Sequence, residues 1–141
     1  MWVFEGKPIT CHADLFKECR DIVYVLTYES GKQYIGKKTV RSIRKLKPTK
    51  AMLAKRKNAV RRELVDVPFM SYEGSSKDTE GEIVVSKEIL HQSSNKLTAT
   101  YLESYYLFRE DVIVNDAYLN QNIGGKFFDS ALNGLLDYNE R

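Results

Sequence analysis

The segment Asp21–Tyr28, DIVYVLTY, constrains the fold of this chain more than any other part of it. It is rich in β-branched and aromatic residues and reads as a strand. Glu29-Ser30-Gly31-Lys32 follows as a turn, where Gly31 is free to take positive φ. Gln33-Tyr34-Ile35-Gly36 then returns as a second strand. Together these residues form a β-hairpin with a loop of about four residues. Tyr24 and Tyr34 lie on the paired strands, which are spaced ~4.8 Å apart, so both side chains can share one face. By spacing alone, the pair reads as a cross-strand aromatic contact filling a core.

The rest of the chain supplies helices for that hairpin to pack against. Ala13 to Arg20 reads as a short helix. Thr39 to Leu46 and Ala51 to Leu64 read as helical, split by Pro48. Pro68 and Ser71–Lys77 form a loop, and Glu82 to Leu90 is a third strand. Gln92 to Lys96 is polar and turn-like. Leu97 to Val112 reads as a helix, because Tyr101, Leu102, Tyr105, Phe108 and Val112 recur at spacings of three and four. Beyond Asn115 the chain is loop-rich, with Gly124-Gly125 as a break and a short helix over Ala131 to Tyr138. The order predicts an α+β fold, with helices on a small antiparallel or mixed sheet. With 141 residues and no repeat or linker, the chain reads as a single domain, 1–141.

Charge is distributed very unevenly. From Lys37 to Arg62 there are 12 basic residues and no Asp or Glu, while the remainder of the chain carries a net −9. A one-sign block of this kind points to a polyanionic partner, nucleic acid first. A solvated helical face would mix both signs. The residues expected to track a DNA backbone are Lys38, Arg41, Lys45, Lys47, Lys50, Lys55, Arg56, Lys57, Arg61 and Arg62. Within this basic helical segment, 37–62, Arg44 and Lys37 have other candidate roles, described below.

Several functions are disfavoured. No apolar run approaches the ~20 residues that span a bilayer. The N-terminus has no basic start followed by an apolar stretch, so no signal peptide is expected, and with only two cysteines a reducing, cytoplasmic setting is the simplest reading. Cys11 and Cys19 are too few for a disulfide framework, and with His12 they lack paired zinc spacing. His12 and His91 are isolated and read as structural or surface residues. Gly124-Gly125 lacks a phosphate-loop context and reads as a turn. Tyr101, Tyr105 and Tyr106 could stack on bases, but their helical spacing places them in the core.

Ile22-Val23-Tyr24 and Tyr34-Ile35-Gly36, with Arg44 eight residues beyond Gly36, Glu103 on a later helix and Asn120 after it, resemble the motif series of the GIY-YIG nuclease family. Ile22 stands where the family usually has glycine. Tyr72–Lys77, Lys87–Leu90, Tyr101-Leu102-Glu103 and Tyr118-Leu119-Asn120 resemble a phage-encoded, free-standing, homing-type branch. The similarity spans about residues 21–128. It implies a small three-stranded sheet flanked by helices, and metal-dependent hydrolysis of a DNA phosphodiester, with double-stranded DNA in a host cytoplasm as the expected substrate.

What the resemblance implies for each residue follows the demands of phosphodiester cleavage: an activated water, charge neutralisation and help for the leaving oxygen. Glu103 would bind one Mg²⁺ or Mn²⁺, a hard ion that prefers carboxylate oxygen. Arg44 would reach the scissile phosphate, with Arg41 as its rival one turn earlier. Tyr24 would orient or deprotonate the attacking water, its phenol made more acidic by Lys37, Lys38 and Arg44. Tyr34 would be its hydrogen-bonding or structural partner. Lys37 or Lys38 would point into the site. Asn120, with Asn122 as alternative, would buttress it. A homodimer would allow double-strand cuts. The competing expectation is a non-catalytic nucleic-acid-binding module using the same basic block. A degradative nuclease of low specificity shares the chemistry of a homing enzyme and differs from it in biology.

Overall fold

The computed structural model describes residues 1–131. In chain order the elements are β1 (Trp2–Phe4), β2 (Lys7–Ile9), β3 (Asp21–Tyr28), β4 (Gln33–Thr39), β5 (Arg41–Leu46), α1 (Lys50–Lys55), β6 (Arg61–Asp66), β7 (Val84–Ser93), α2 (Lys96–Arg109), β8 (Asn122–Ile123) and β9 (Phe127–Phe128). The architecture is α+β, around a five-stranded sheet of order β2-β1-β7-β3-β4. β1 runs parallel to β7 and the other neighbours are antiparallel, so the sheet is mixed.

The expected three strands are present as β3, β4 and β7, and the N-terminal hairpin adds two more. Strands of three residues are too short to show a period of two. Their turn is tight, with positive φ at both Glu5 (50°) and Gly6 (79°), and the hairpin holds because Trp2 is fully buried. The Trp2 indole N–H donates to the Phe69 carbonyl at 3.0 Å.

β3 lies between β7 and β4 and is covered on both faces, which is why it reads as a nearly continuous apolar run. Ile22, Tyr24, Leu26 and Tyr28 pack with Trp2, Leu15, Phe69 and Ile89 on one face. Val23 and Val25 pack with Ile35, Ala99, Leu107 and Val112 on the other, beneath α2. Ile22 is completely buried, so a full side chain is accommodated where related motifs have glycine.

The expected helix over Leu97–Val112 is α2, but a different side of it faces the sheet. Ala99 and Leu107 are buried, and Leu102 and Tyr106 pack beside them. Tyr101 is 70% exposed, and Tyr105 and Phe108 are also exposed. The aromatic stripe is therefore outside the core, contrary to its spacing. The small Ala99 sets the side on which α2 can approach β3 and β4 closely.

The largest correction concerns the basic segment. Thr39–Leu46 and Ala51–Leu64 were expected as helices; instead β5 and β6 form a separate antiparallel ribbon, closed at its tip by the six-residue α1. Lys, Arg and Leu are good helix formers, but stretches this short are marginal as helices without tertiary support, and Pro48 biases Lys47 towards extended backbone. The ribbon register sets Arg41 opposite Asp66 and Arg44 opposite Glu63. Opposite charges across the strands favour the ribbon over the helix.

Smaller differences follow the same logic. Ala13–Arg20 contributes only a 3-10 turn at His12–Asp14. β7 continues to Ser93, through residues expected as a turn. Gly124 and Gly125 form the β8–β9 turn, both with positive φ. The short helix expected over Ala131–Tyr138 falls outside the described residues beyond Ala131. Among the described residues, no helix is long and apolar enough to cross a membrane.

Candidate active site

β4 is the outer strand of the main sheet, and the candidate residues gather around its free edge. Gln33, Ile35 and Lys37 alternate with Tyr34, Gly36 and Lys38 along it, so neighbours point to opposite faces. Lys37 and Lys38 therefore serve different surfaces.

The register pairs Tyr24 with Gly36 and Leu26 with Tyr34, and Tyr24 and Tyr34 lie on the same face of the sheet. The Tyr24 ring lies directly over Gly36. A methyl group there would stand 2.5 Å from the Tyr24 hydroxyl, 2.7 Å from its Cζ and 3.2 Å from the Tyr34 ring. Gly36 is thus required by close approach of an aromatic ring, with no need for unusual backbone angles. Tyr24 cannot easily move aside, since Trp2 sits edge-on to it at 5.4 Å and Tyr72 at 6.0 Å. Gly36→Ala is expected to destabilise the fold by about 1–3 kcal/mol through overpacking, read by urea unfolding.

The electrostatics of Tyr24 run opposite to the sequence expectation. Tyr24 is buried, and burial with the neighbouring Tyr72 phenol pushes its pKa up. The lysines do not make it more acidic. Tyr34 is less deeply set, and its phenol is also pushed up by burial, with Ser76 opposing and Asp78 and Glu103 adding to the shift. Both phenols therefore stay protonated at neutral pH. Tyr72, given no role in the sequence reading, completes this aromatic face, and the Lys38 ammonium lies 4.9 Å above its ring. Sequence marks it only within the resembling segment Tyr72–Lys77 and gives it no role, because the loop carrying it reaches β3 only through the tertiary fold.

On the opposite face, α2 presents Thr100 and Glu103 to β4. Lys37 Nζ donates to Thr100 Oγ1 at 2.6 Å. Burial raises the Glu103 pKa, and the Lys37 charge partly opposes that shift. Glu103 also acts on Tyr34, so carboxylate, lysine and phenol converge on β4 from two sides. Among the described residues Glu103 makes no ion pair, and no group of three or more His, Cys, Asp or Glu could hold a metal. A lone carboxylate fits a hard divalent cation that keeps most of its shell as water and phosphate oxygen.

Asn120 closes the edge of the strand. Ile35 N–H donates to its Oδ1 at 3.1 Å, and its Nδ2 donates to the Ile35 carbonyl at 2.8 Å. The carboxamide thereby replaces the next strand of a sheet. Backbone bonds from Gln33 to Ala117 and from Leu119 to Gln33, both 2.8 Å, extend the same pairing. Asn122, the alternative, instead accepts from Gly125 N–H in the β8–β9 turn. Asn120→Ala leaves two buried backbone groups unpaired and is expected to cost about 1–3 kcal/mol in thermal or urea unfolding.

The two arginines part company. Arg44 is exposed on the ribbon and pairs with Glu63, while Lys37 is the cation beside Glu103. Arg41 is 8% exposed. Its Nη1 donates to the carbonyls of Phe16 and Cys19 at 2.8 and 3.0 Å, its Nη2 to that of His12 at 2.8 Å, and its Nε to Asp66 at 3.3 Å. With its donors committed, Arg41 is neither the rival catalytic arginine nor a phosphate contact, as the sequence had suggested. The His12 Nε2 contacts the Val40 and Val67 carbonyls at 3.0 and 2.9 Å. Arg41 and His12 thus lock the base of the ribbon to the body of the domain. The other expected DNA-contacting residues beyond Lys38 (Lys45, Lys47, Lys50, Lys55, Arg56, Lys57, Arg61 and Arg62) are exposed on the ribbon and its tip.

Comparison with known families places this chain in the GIY-YIG family of endonuclease domains, to which it belongs. The matching family model is described as "Putative endonuclease segE, GIY-YIG domain" and covers residues 2–123. The match begins at Trp2, so it includes the N-terminal hairpin that lies outside the motif series. No curated protein and no solved structure matches the chain.

Proposed function

We propose that this protein is a divalent-metal-dependent endonuclease that hydrolyses phosphodiester bonds in double-stranded DNA. The observation that carries this reading is the placement around β4 of Lys37, held to Thr100 of α2 beside Glu103 on one face, and of Tyr34 on the other. Membership in the endonuclease family supports it, as does the basic ribbon leading away from β4 through Thr39 and Val40.

In this reading Glu103 would hold one Mg²⁺ or Mn²⁺, a hard ion suited to a single carboxylate. The bound ion would supply charge neutralisation on the phosphate and acidify a water. Lys37 keeps positive charge beside that phosphate. Tyr34, protonated and half-buried, donates a hydrogen bond to the attacking water or to a phosphate oxygen. Tyr24 acts from beneath, packed on Gly36, by fixing the aromatic face. Asn120 holds β4 so that these groups keep their spacing. Arg44 adds positive charge on the ribbon, alongside Lys38. The setting would be the cytoplasm of a host cell, in keeping with a phage-encoded enzyme.

The test is incubation of purified protein with supercoiled plasmid in Mg²⁺, in Mn²⁺ and in chelator. Nicking or linearisation only in the presence of metal is the expected result. Plasmid that is retarded but intact under every metal would replace this reading with a binding module.

A further inference from the structure

We propose that the β5–β6 ribbon seats in the major groove of B-form DNA, through the face carrying Ile43, Lys45, Arg62 and Leu64. The inference rests on the nuclease reading above and adds to it the element that would read sequence.

The ribbon register sets Ile43 opposite Leu64 and Lys45 opposite Arg62, so these four side chains share one face. Ile43 is 43% exposed and Leu64 41%, and Lys45 and Arg62 are exposed beside them. This face combines an apolar pair with two cations. The same register puts Arg41 and Asp66 on this face at its base, where they are paired with each other, while the opposite face carries Ser42, Arg44, Leu46, Arg61, Glu63 and Val65, of which Ser42, Leu46, Glu63 and Val65 are only partly exposed. Lys45, Lys47, Lys50, Lys55, Arg56, Lys57, Arg61 and Arg62 form no ion pair among the described residues. Charge complementarity therefore selects a polyanion for the ribbon, and the exposure of Ile43, Lys45, Arg62 and Leu64 together selects which face approaches it.

Dimensions select the groove. Two strands ~4.8 Å apart, with their side chains, fit a major groove about 12 Å wide but not a minor groove about 6 Å wide. The deep, narrow major groove of A-form RNA does not admit such a ribbon. Strands of six residues reach roughly 20 Å, and Lys50, Lys55, Arg56 and Lys57 at the tip would then meet phosphates along the groove walls. Ile43 and Leu64 would lie against thymine methyl groups, while Arg62 and Lys45 can donate to guanine O6 and N7. The anchoring of the ribbon by Arg41 and His12 suits this role, because a two-stranded ribbon is only marginally stable alone.

The experiment is a binding titration of the full chain, in chelator, by fluorescence anisotropy. One probe is plain duplex DNA. The second is the same duplex with cytosines carrying a neutral glucosyl group on a C5 hydroxymethyl, which fills the major groove. A third arm adds netropsin, which fills the minor groove, to the plain duplex. The expected result is at least about tenfold weaker binding to the glucosylated duplex and little change with netropsin. Ile43→Ser/Leu64→Ser and Lys45→Ala/Arg62→Ala, each with an unaltered circular dichroism spectrum, should both lose affinity and lose the discrimination between the two duplexes. Equal binding to both duplexes, or displacement by netropsin alone, overturns the proposal. So does retention of discrimination in the Lys45→Ala/Arg62→Ala protein. Cutting of plain duplex by the same preparation in Mg²⁺ reads the nuclease function separately, so either proposal can fail while the other stands.

Discussion

Glu103→Gln should abolish plasmid cutting while leaving DNA affinity in place. The change removes the single carboxylate charge at β4 but keeps the size of the side chain. If Glu103 holds the metal, the cutting rate falls by about a thousandfold, the equivalent of about 4 kcal/mol of transition-state stabilisation. Folding should be unimpaired, because burial already opposes the charged form of Glu103 and a neutral amide carries no such penalty. The measurement pairs plasmid nicking in Mg²⁺ with anisotropy titration in chelator. Cutting at the wild-type rate would remove Glu103 from the chemistry. Affinity lost together with cutting would make Glu103 a fold or DNA-binding residue.

Arg41→Ala is expected to be the most destabilising single change at the base of the ribbon. It would strip hydrogen bonds from the carbonyls of Phe16, Cys19 and His12, and the ion pair from Asp66. Hydrogen bonds from a charged donor contribute more than neutral ones, and buried carbonyls left unpaired carry a penalty, so a loss of about 3 kcal/mol or more is expected in urea unfolding. Arg41→Lys should recover little, because one ammonium cannot span carbonyls in that arrangement. Arg44→Ala is the control. Its ion pair with Glu63 is exposed, so its stability effect should stay within about 1 kcal/mol. Equal stability of the two alanine variants would show that Arg41 does not lock the ribbon. Limited proteolysis offers a second readout, with the segment between Arg41 and Asp66 cleaved faster in Arg41→Ala.

Tyr24 shows how a motif can be legible as a pair while the electrostatics of its side chain are not. Its strand and its register against Gly36 follow from local sequence, because the turn at Glu29–Lys32 fixes the pairing. Its protonation does not. Burial raises its pKa most, with Trp2 packed edge-on against the ring, and the Tyr72 phenol, from a loop some fifty residues away, adds more than the hairpin tyrosines Tyr34 and Tyr28. Glu103 was visible as a helical carboxylate, but which side of α2 faces the sheet was decided by packing. The aromatic stripe at Tyr101, Tyr105 and Phe108 has the period of a buried face and stays exposed, while Ala99 and Leu107 are buried. Arg41 and Arg44, three residues apart along β5, point to opposite faces of the ribbon. Only the ribbon pairing separates an anchored guanidinium from an exposed one.

The sequence by itself determined the β3–β4 hairpin, the strand β7, the helix α2 and the concentration of positive charge between Lys37 and Arg62. These are set by short-range patterns of side-chain shape, turn chemistry and charge. The tertiary structure decided that the basic segment is a ribbon, that the N-terminal residues extend the sheet, and that Lys37 and Glu103 meet on one side of β4 while Lys38 and Tyr72 meet on the other. Such outcomes depend on which partner each segment finds. Cross-strand charge pairing and burial outweigh the small helix propensities of Lys, Arg and Leu, and those partners lie far apart in the chain.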